Sequence, residues 1–208
     1  MPTSRRLEAL GNGVFARTDR AKQAHRNTTG VPPLIDLSLG STDLQPPKEI
    51  LHCMAAAVTD PASSAYCLEA GTAPFHQAVA AWCQRRFGVE VDPQRQVQLL
   101  VGSQEGTAHL PLAILDPGDR ALLLDPSYPS HRGGLVLSGA SICSLPLSQE
   151  QDWLPDFDAI RPELWDQLKL FVLGYPHNPT ARVGNQELWD RARGRGCRHG
   201  LVGTTTNP

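Results

Sequence analysis

The sequence is poor in the features that mark membrane, secreted and nucleic-acid-binding proteins. Aromatic residues make up only 6% of the 208 residues, and 19 Lys and Arg nearly balance 21 Asp and Glu. The formal net charge of -2 gives no electrostatic reason to expect a nucleic acid or an acidic membrane as partner. No apolar run approaches the roughly 20 residues that a membrane-spanning helix needs. No hydrophobic segment follows the first residues, as it would in a secretory signal. We therefore expect a cytoplasmic protein.

Cysteine and lysine are also sparse. The five cysteines are odd in number, widely spaced and include no Cys-x-x-Cys pair, which favours reduced thiols and no zinc site. The seven histidines form no ligand spacing on a shared face, so we predict no metal. The only lysines are Lys22, Lys48 and Lys169. Hydrophobic residues, at 40%, are frequent enough to build a core.

The chain does contain a regular alternation of apolar strands and helices. A polar arm of about forty residues ends in an apolar stretch, 34–40, that we interpret as a strand, and helices are predicted over 47–58 and 72–88, the second capped by Thr72 and Gly88. Further along, strands predicted at 97–101, 121–124, 142–145 and 170–173 alternate with helices predicted at 105–115, 130–137 and 157–164. This alternation predicts βαβ units and a mostly parallel sheet, and hence the α/β class.

The pattern weakens after Thr180. Residues 187–193 have helical spacing, but the run rich in Gly and Arg that follows interrupts any apolar face. Residues 199–202 begin like a strand that we expect to fail at Gly203. We therefore divide the chain into an N-terminal arm (1–40), an α/β domain (41–184) and an aberrant tail (185–208).

The turn from Val101 to Ala108 is the first segment with recognisable chemistry. It joins a predicted strand to a predicted helix, and its glycines let the backbone approach a ligand. The first N–H groups of a helix point at such a ligand with the positive end of the macrodipole behind them. The segment therefore suits a phosphate, although many such turns carry Gly and Ser merely to turn.

Three other residues lie in comparable places. Tyr128 stands between two prolines after a predicted strand and offers a fixed ring for a flat heterocycle, although in isolation a turn residue that packs on its neighbours explains it better. Asn178, after the strand at 170–173, has an amide that can donate to a phenolate oxygen, while Asn before Pro is also common in turns. Tyr66, in a loop, can reach a phosphate on its own subunit or on a partner's.

Taken in order, these segments resemble the class I/II, fold-type I aminotransferases that depend on pyridoxal phosphate, in the branch of LL-diaminopimelate aminotransferase. The resemblance runs from about Arg6 to Thr180 and includes residues 37–44 and 116–119. It implies that 41–184 is the N-terminal part of the large domain, a mostly parallel sheet flanked by helices, and that 1–40 contributes to the small domain. It also implies transfer of an amino group between an amino acid and a 2-oxo acid, in a homodimer.

The resemblance also assigns roles to individual residues. It implies that Ser103, Gln104 and Glu105 form the phosphate cup of pyridoxal 5'-phosphate. It implies that Tyr128 stacks on the pyridine ring and that Asn178 hydrogen-bonds the 3-oxygen of that ring.

Two further roles rest mainly on the resemblance. By analogy with related enzymes, Tyr66 would reach the phosphate bound by the neighbouring subunit. Gly40 lies in the segment that lines the substrate carboxylate pocket in the family.

The same resemblance implies groups that the sequence does not provide. The family uses an Asp at the pyridine nitrogen, a Lys that forms the Schiff base, and an Arg that clamps the substrate carboxylate. None of the three lysines lies in a matching motif, so no catalytic Lys is assigned and we expect no ordinary transamination from this chain. The family often has His-Asp-Asn where this sequence has Thr204 to Thr206, and those codons read one base late would give three threonines. We therefore expect a frameshifted or otherwise truncated product.

Two alternatives remain open at this point. One is a non-catalytic remnant, or a subunit that pairs with an intact relative. The other is a Rossmann-like nucleotide-binding protein that uses the Ser103 turn for phosphate. The glycines at 11 and 13 do not support it, because no strand precedes them and no βαβ unit follows.

Overall fold

The computed structural model describes residues 2–11, 13–40, 42–64, 66 and 69–205, with only the backbone of 69–71. These residues form two compact units. One comprises the described residues of Met1–Asn27 and Leu100–Pro208, and the other is Thr28–Leu99. The helices are α1 (Arg5–Leu10), α2 (Val14–Arg26), α3 (Lys48–Thr59), α4 (Glu69–Phe87), α5 (Ser103–Ile114), α6 (Pro129–Ser138), α7 (Pro162–Trp165) and α8 (Gln186–His199). Short 3₁₀ turns occur at Pro61–Ser64 and Phe157–Ala159.

The first unit contains a parallel sheet, as predicted. Its described strands are β1 (Arg120–Asp125), β2 (Ser141–Pro146), β3 (Leu168–Leu173) and β4 (Val202–Thr205), in the order β2-β1-β3-β4. Leu123 of β1 pairs with Val172 of β3, so these two inner strands end side by side. The loops that follow β1 and β3 therefore meet at the carboxyl edge of the sheet, where parallel sheets bind ligands.

Both faces of the sheet are covered. Side chains alternate along β1, so Leu122 and Leu124 belong to one core while Ala121 and Leu123 belong to the other. The first core also contains Phe157, Trp165, Phe171 and Leu188, and the second contains Leu115, Leu135 and Leu170. This two-sided burial explains why β1 and β3 are continuous apolar runs in the sequence.

Helices α5 and α6 pack very closely together. A Cβ atom added at Gly134 of α6 would lie 2.7 Å from the carbonyl oxygen of Thr107 in α5. The two helices begin near each other, and the hydroxyls of Thr107 and Ser130 are 3.3 Å apart. The absence of a side chain at Gly134 thus lets both helix N-termini approach the same edge of the sheet.

Two predicted strands are not strands. Residues 34–40 and 97–101 are irregular, and none of the four described strands pairs with them. Their apolar side chains are largely exposed, with Ile35 at 81%, Leu37 at 90% and Val101 at 92%. An apolar run becomes a strand only when a neighbouring strand takes up its backbone hydrogen bonds, and these segments have no such neighbour among the described strands.

Most of the predicted helices are confirmed with shifted ends, and one is not. Helix α4 begins at Glu69, so Thr72 lies inside it and is not its N-cap, whereas Gly88 follows its end with a positive φ of 68°. The helix predicted over 157–164 is a 3₁₀ turn followed by the single turn α7. Pro162 explains the break, because proline cannot donate a helical hydrogen bond and suits the first turn of a new helix.

The sequence also underestimates the last elements. Helix α8 continues to His199, beyond the predicted interruption. Arg191 and Arg195 both bind the carboxylate of Asp158, at 2.8 Å and 2.7 Å, so contacts outside the helix stabilise its Gly-rich part. The strand that was expected to end at Gly203 continues through it as β4. Gly203 pairs with Phe171, and its lack of a side chain leaves room for that ring. The proposed division of the chain at residues 40 and 184 stays a prediction.

Candidate functional site

A cavity of about 260 Å³ lies at the carboxyl edge of the sheet. Three segments line it: the start of α5, the loop from β1 into α6, and the loop after β3. Four of the predicted cofactor residues line this cavity: Ser103, Gln104, Tyr128 and Asn178. These residues are far apart in the sequence, and the parallel sheet is what places them around one space.

The start of α5 forms the end of the cavity that suits an anion. Gly102 precedes the helix with φ of 81°, a conformation that favours glycine. The N–H groups of Ser103 and Gln104 have no carbonyl four residues back within the helix, so they are available to a ligand, and the helix dipole favours negative charge there. Both residues line the cavity.

Glu105 differs from its two neighbours. It is not among the residues that line the cavity. Its N–H donates to the carbonyl of Gly102 at 3.2 Å, and its carboxylate accepts from the N–H of Val101 at 2.6 Å. These bonds turn Glu105 back toward the preceding loop, which keeps its negative charge engaged outside the space where an anion would bind.

Three hydroxyl residues that the sequence analysis did not single out also line the cavity: Thr107, Ser127 and Ser130. The Thr107 hydroxyl donates to the carbonyl of Gln104 at 2.9 Å and lies 3.3 Å from that of Ser130. The Ser-rich turn around Tyr128 was visible in the sequence. Thr107 was not identifiable, because its role depends on the close approach of α5 and α6.

Tyr128 stands at the N-cap of α6 and lines the cavity. Its ring meets the ring of His131 edge to face, with centroids 5.8 Å apart. His131 is buried, and burial, with a smaller contribution from nearby His177, holds its pKa below the usual value. The aromatic wall of the cavity therefore rests on a neutral imidazole at neutral pH.

The loop after β3 carries Asn178 and is held by several hydrogen bonds. The N–H of His177 donates to the carbonyl of Arg182 at 2.7 Å, and the N–H of Ala181 donates to the carbonyl of His177 at 2.6 Å. The Tyr175 hydroxyl donates to the carbonyl of Trp153 at 2.8 Å, and burial raises the pKa of this phenol. The loop that carries Asn178 is thus closed by two backbone hydrogen bonds and is held by the buried side chain of Tyr175.

The two remaining predicted residues, Tyr66 and Gly40, are elsewhere. Both belong to the unit Thr28–Leu99 and neither lines this cavity. Tyr66 is 95% exposed. Their proposed roles depend on surfaces outside the first unit.

The lysines do not line the cavity either. Lys169 lies near the start of β3, at the opposite edge of the sheet, and its ammonium is 2.7 Å from the Asp119 carboxylate. This hydrogen bond raises the pKa of Lys169 and lowers that of Asp119. Lys22 pairs with Asp19 at 2.9 Å in α2.

The donors around the cavity suit a small, flat, phosphorylated ring. Helix N–H groups and hydroxyls occupy one end, an aromatic ring forms a wall, and a carboxamide lies on the loop after β3. Within the described ranges, no cluster of three or more His, Cys, Asp or Glu is arranged to hold a metal ion. No helix in the part of the chain that the structure describes is long and apolar enough to cross a membrane.

Fold and cavity together define an α/β protein with a pocket at the carboxyl edge of a parallel sheet, lined at one end by a helix N-terminus and hydroxyl groups. The family model for aminotransferase class I and II matches residues 32–193, and the chain belongs to this family. Class I and II aminotransferases depend on pyridoxal phosphate, the kind of ligand that the donors around the cavity suit.

Individual relatives agree with this assignment. The chain is 38% identical over 197 residues to LL-diaminopimelate aminotransferase of Nitratidesulfovibrio vulgaris (strain Miyazaki F), covering 95% of this chain and 50% of the relative. It is 38% identical over 188 residues to the enzyme of the same name from Aquifex aeolicus, covering 90% and 48%. The structure of a probable N-succinyldiaminopimelate aminotransferase from Thermus thermophilus matches with a TM-score of 0.87 and 41% identity, covering 94% and 52%.

The chain spans about half the length of the curated relatives that it matches. The matched structure is likewise covered over 52% of its length. The predicted fold, the N-terminal part of a fold-type I aminotransferase, is confirmed by these matches and by the parallel sheet.

Proposed function

We propose that the cavity binds pyridoxal 5'-phosphate and that the protein takes part in moving an amino group between an amino acid and a 2-oxo acid. The observation that carries the proposal is the convergence of Ser103, Tyr128 and Asn178 on one cavity, from three separate loops. The family match supports the same chemistry.

Each side of the cavity has a distinct task in this proposal. The N–H groups of Ser103 and Gln104 and the Ser103 hydroxyl bind the phosphate, with the positive end of α5 behind them. The ring of Tyr128 packs on the pyridine ring, and the amide of Asn178 donates to its 3-oxygen. The bound cofactor supplies an electron-withdrawing ring that makes the α-carbon of an amino acid acidic. Glu105 contributes by shaping the turn through its bond to Val101.

The proposed substrates are an amino acid and a 2-oxo acid, in amino-acid biosynthesis. The names of the matched relatives, which refer to diaminopimelate or its N-succinyl derivative, support a role of this kind. Because none of the three lysines lines the cavity, we expect the 208-residue chain to bind the cofactor without a covalent bond. The predicted cytoplasmic location stays a prediction.

We further propose a homodimer in which Tyr66 reaches the phosphate bound by the partner subunit and Gly40 lies near the substrate carboxylate. The exposure of the Tyr66 ring supports the first role, since an exposed ring is free to meet a partner. The apolar side chains of α3 are also exposed, as the surface of an associating protein would be. The matched aminotransferases do not favour the nucleotide-binding alternative.

Titration of the purified chain with pyridoxal 5'-phosphate tests the proposal. Quenching of tryptophan fluorescence should saturate, while pyridoxal without phosphate should bind at least about tenfold more weakly, because the start of α5 then has no anion to bind. The matched variant Asn178→Asp keeps the side-chain shape but replaces the amide donor with an acceptor, and it should weaken binding about tenfold. Borohydride treatment should leave no cofactor attached to the residues that line the cavity, as peptide mapping would show. Equal affinity for both pyridoxal forms would contradict the proposed phosphate cup.

A further inference from the structure

His177 is a buried polar side chain that joins two loops. It is only 4% exposed, yet both nitrogens of its ring have partners. Nδ1 lies 2.8 Å from the hydroxyl of Thr180, in its own loop, and Nε2 lies 3.1 Å from the carbonyl oxygen of Pro126, in the loop after β1. The ring therefore spans the gap between the loops that carry Tyr128 and Asn178.

The partners determine which nitrogen carries the proton. The Pro126 carbonyl can only accept, so Nε2 must be the donor. Burial, the main influence on the ring, lowers the pKa of His177 and favours the neutral form. In that form Nδ1 is an acceptor, and the Thr180 hydroxyl donates a hydrogen bond to it. Thr180 Oγ1 in turn accepts from the N–H of Arg182 at 3.4 Å.

The backbone holds the same residue from the other side. The bonds from His177 N–H to the Arg182 carbonyl and from Ala181 N–H to the His177 carbonyl close the turn on which Asn178 stands. Because Asn178 follows His177 directly, a change in the His177 backbone would turn the Asn178 amide away from its place in the cavity wall. Tyr128 is two residues from Pro126, so the same ring also restrains the aromatic wall.

We propose that His177, with Thr180, is a positioning residue that fixes the Asn178 amide relative to Tyr128 before the cofactor binds. The inference rests on the proposed function, since it gives these two residues a common ligand. A wall that is held in place before binding need not be ordered during binding, and this raises affinity without a new contact to the ligand.

A set of variants separates the two bonds of the ring. His177→Phe fills the same space and removes both bonds. His177→Gln can still donate from a similar position to the Pro126 carbonyl, and Thr180→Val removes only the other partner. His199→Phe is the matched control, because the His199 ring bonds Asp166 at 2.8 Å and does not line the cavity.

The measurement is the dissociation constant for pyridoxal 5'-phosphate, obtained by fluorescence titration, beside the thermal midpoint of each variant. We expect His177→Phe to weaken binding about tenfold and Thr180→Val about threefold. His177→Gln should recover most of the affinity lost in His177→Phe, and His199→Phe should bind like the unaltered chain. If His177→Phe does not fold, Thr180→Val and His177→Gln decide between the same outcomes.

A double-mutant cycle shows whether His177 acts through Asn178. The variant His177→Phe/Asn178→Ala should lose less affinity than the product of the two single losses, because the amide that His177 positions is already gone and only the restraint on the Tyr128 wall remains to be lost. Fully multiplicative losses would overturn the inference, and so would unaltered affinity in both His177→Phe and Thr180→Val, while the proposed function would stand in either case. If the unaltered chain itself does not bind the cofactor saturably, the proposed function fails and the inference fails with it.

Discussion

At the scale of single residues, two buried histidines line the cavity. The rings of His131 and His177 are both largely removed from water, and burial lowers the pKa of each. In the unfolded chain these imidazoles regain an ordinary pKa near 6.5. The folded protein therefore binds fewer protons than the unfolded chain when the pH falls below that value.

This difference predicts how stability depends on pH. The stabilising contribution of the neutral histidines is complete above the unfolded pKa and is lost as the pH falls toward the lower folded pKa. We expect the free energy of unfolding, from urea denaturation, to decrease between about pH 7 and pH 5. The lowered pKa of Asp119 acts only at more acidic pH, below its ordinary value of 3.8, so the two effects are separable. His177→Gln should flatten the slope between about pH 7 and pH 5, and an unchanged slope would contradict this account.

At the scale of elements, the contact of α5 with α6 determines where the two helix N-termini lie. Gly134 is the point of closest approach, since a Cβ there would come within 2.7 Å of one backbone carbonyl oxygen and 2.9 Å of the next. Backbone atoms cannot move aside as the end of a flexible side chain can. The spacing between Ser103 and Tyr128 in the cavity therefore depends on this glycine.

The substitution Gly134→Ala tests this dependence. We expect it to lower the free energy of unfolding by about 1–3 kcal/mol, because the helices must separate to admit the methyl group. The neighbouring Gly133→Ala is a close control, since its Cβ would meet only a Leu10 side-chain carbon at 3.8 Å. It should be neutral or stabilising by up to about 1 kcal/mol, through helix propensity. Equal effects of the two changes in chemical denaturation would show that the helix contact is looser than described.

At the scale of the whole molecule, the two compact units differ in how well their apolar side chains are covered. The first unit contains the buried residues of both cores, whereas α3 of the second unit has no buried residue. Ile50, Leu51, Met54 and Val58 lie on one face of α3 and are all exposed. Such a face favours association with another protein surface.

We therefore expect the purified chain to self-associate and to have limited solubility. Met54→Glu places a charge in the apolar face of α3 and should reduce the average mass measured by analytical ultracentrifugation. Ala56→Glu adds the same charge on the opposite face of the helix and should leave the mass unchanged. A monodisperse monomer of the unaltered chain would contradict this prediction, together with the proposed homodimer.

Short-range sequence patterns were sufficient to predict much of the fold and to point to the candidate site. The apolar runs of β1 and β3 and the Gly-Ser turn before α5 are local features, and they indicated the parallel sheet and the anion end of the cavity. The ordered series with Tyr128 and Asn178 indicated the aminotransferase family, which the comparisons confirm. The length of α8 was missed because Arg191 and Arg195 depend on Asp158, more than thirty residues earlier.

By itself, then, the sequence determined the fold class and the family, because these follow from local periodicity and short motifs, and it predicted the residues that we propose to bind the cofactor. Only the tertiary structure decided which apolar runs found a strand partner, that Glu105 turns away from the cavity, and that Thr107 and His131 line it. It also decided the bridge from His177 to Pro126, between residues 51 positions apart. Contacts of this kind exist only once the sheet has brought distant loops to one edge, and no local pattern contains them.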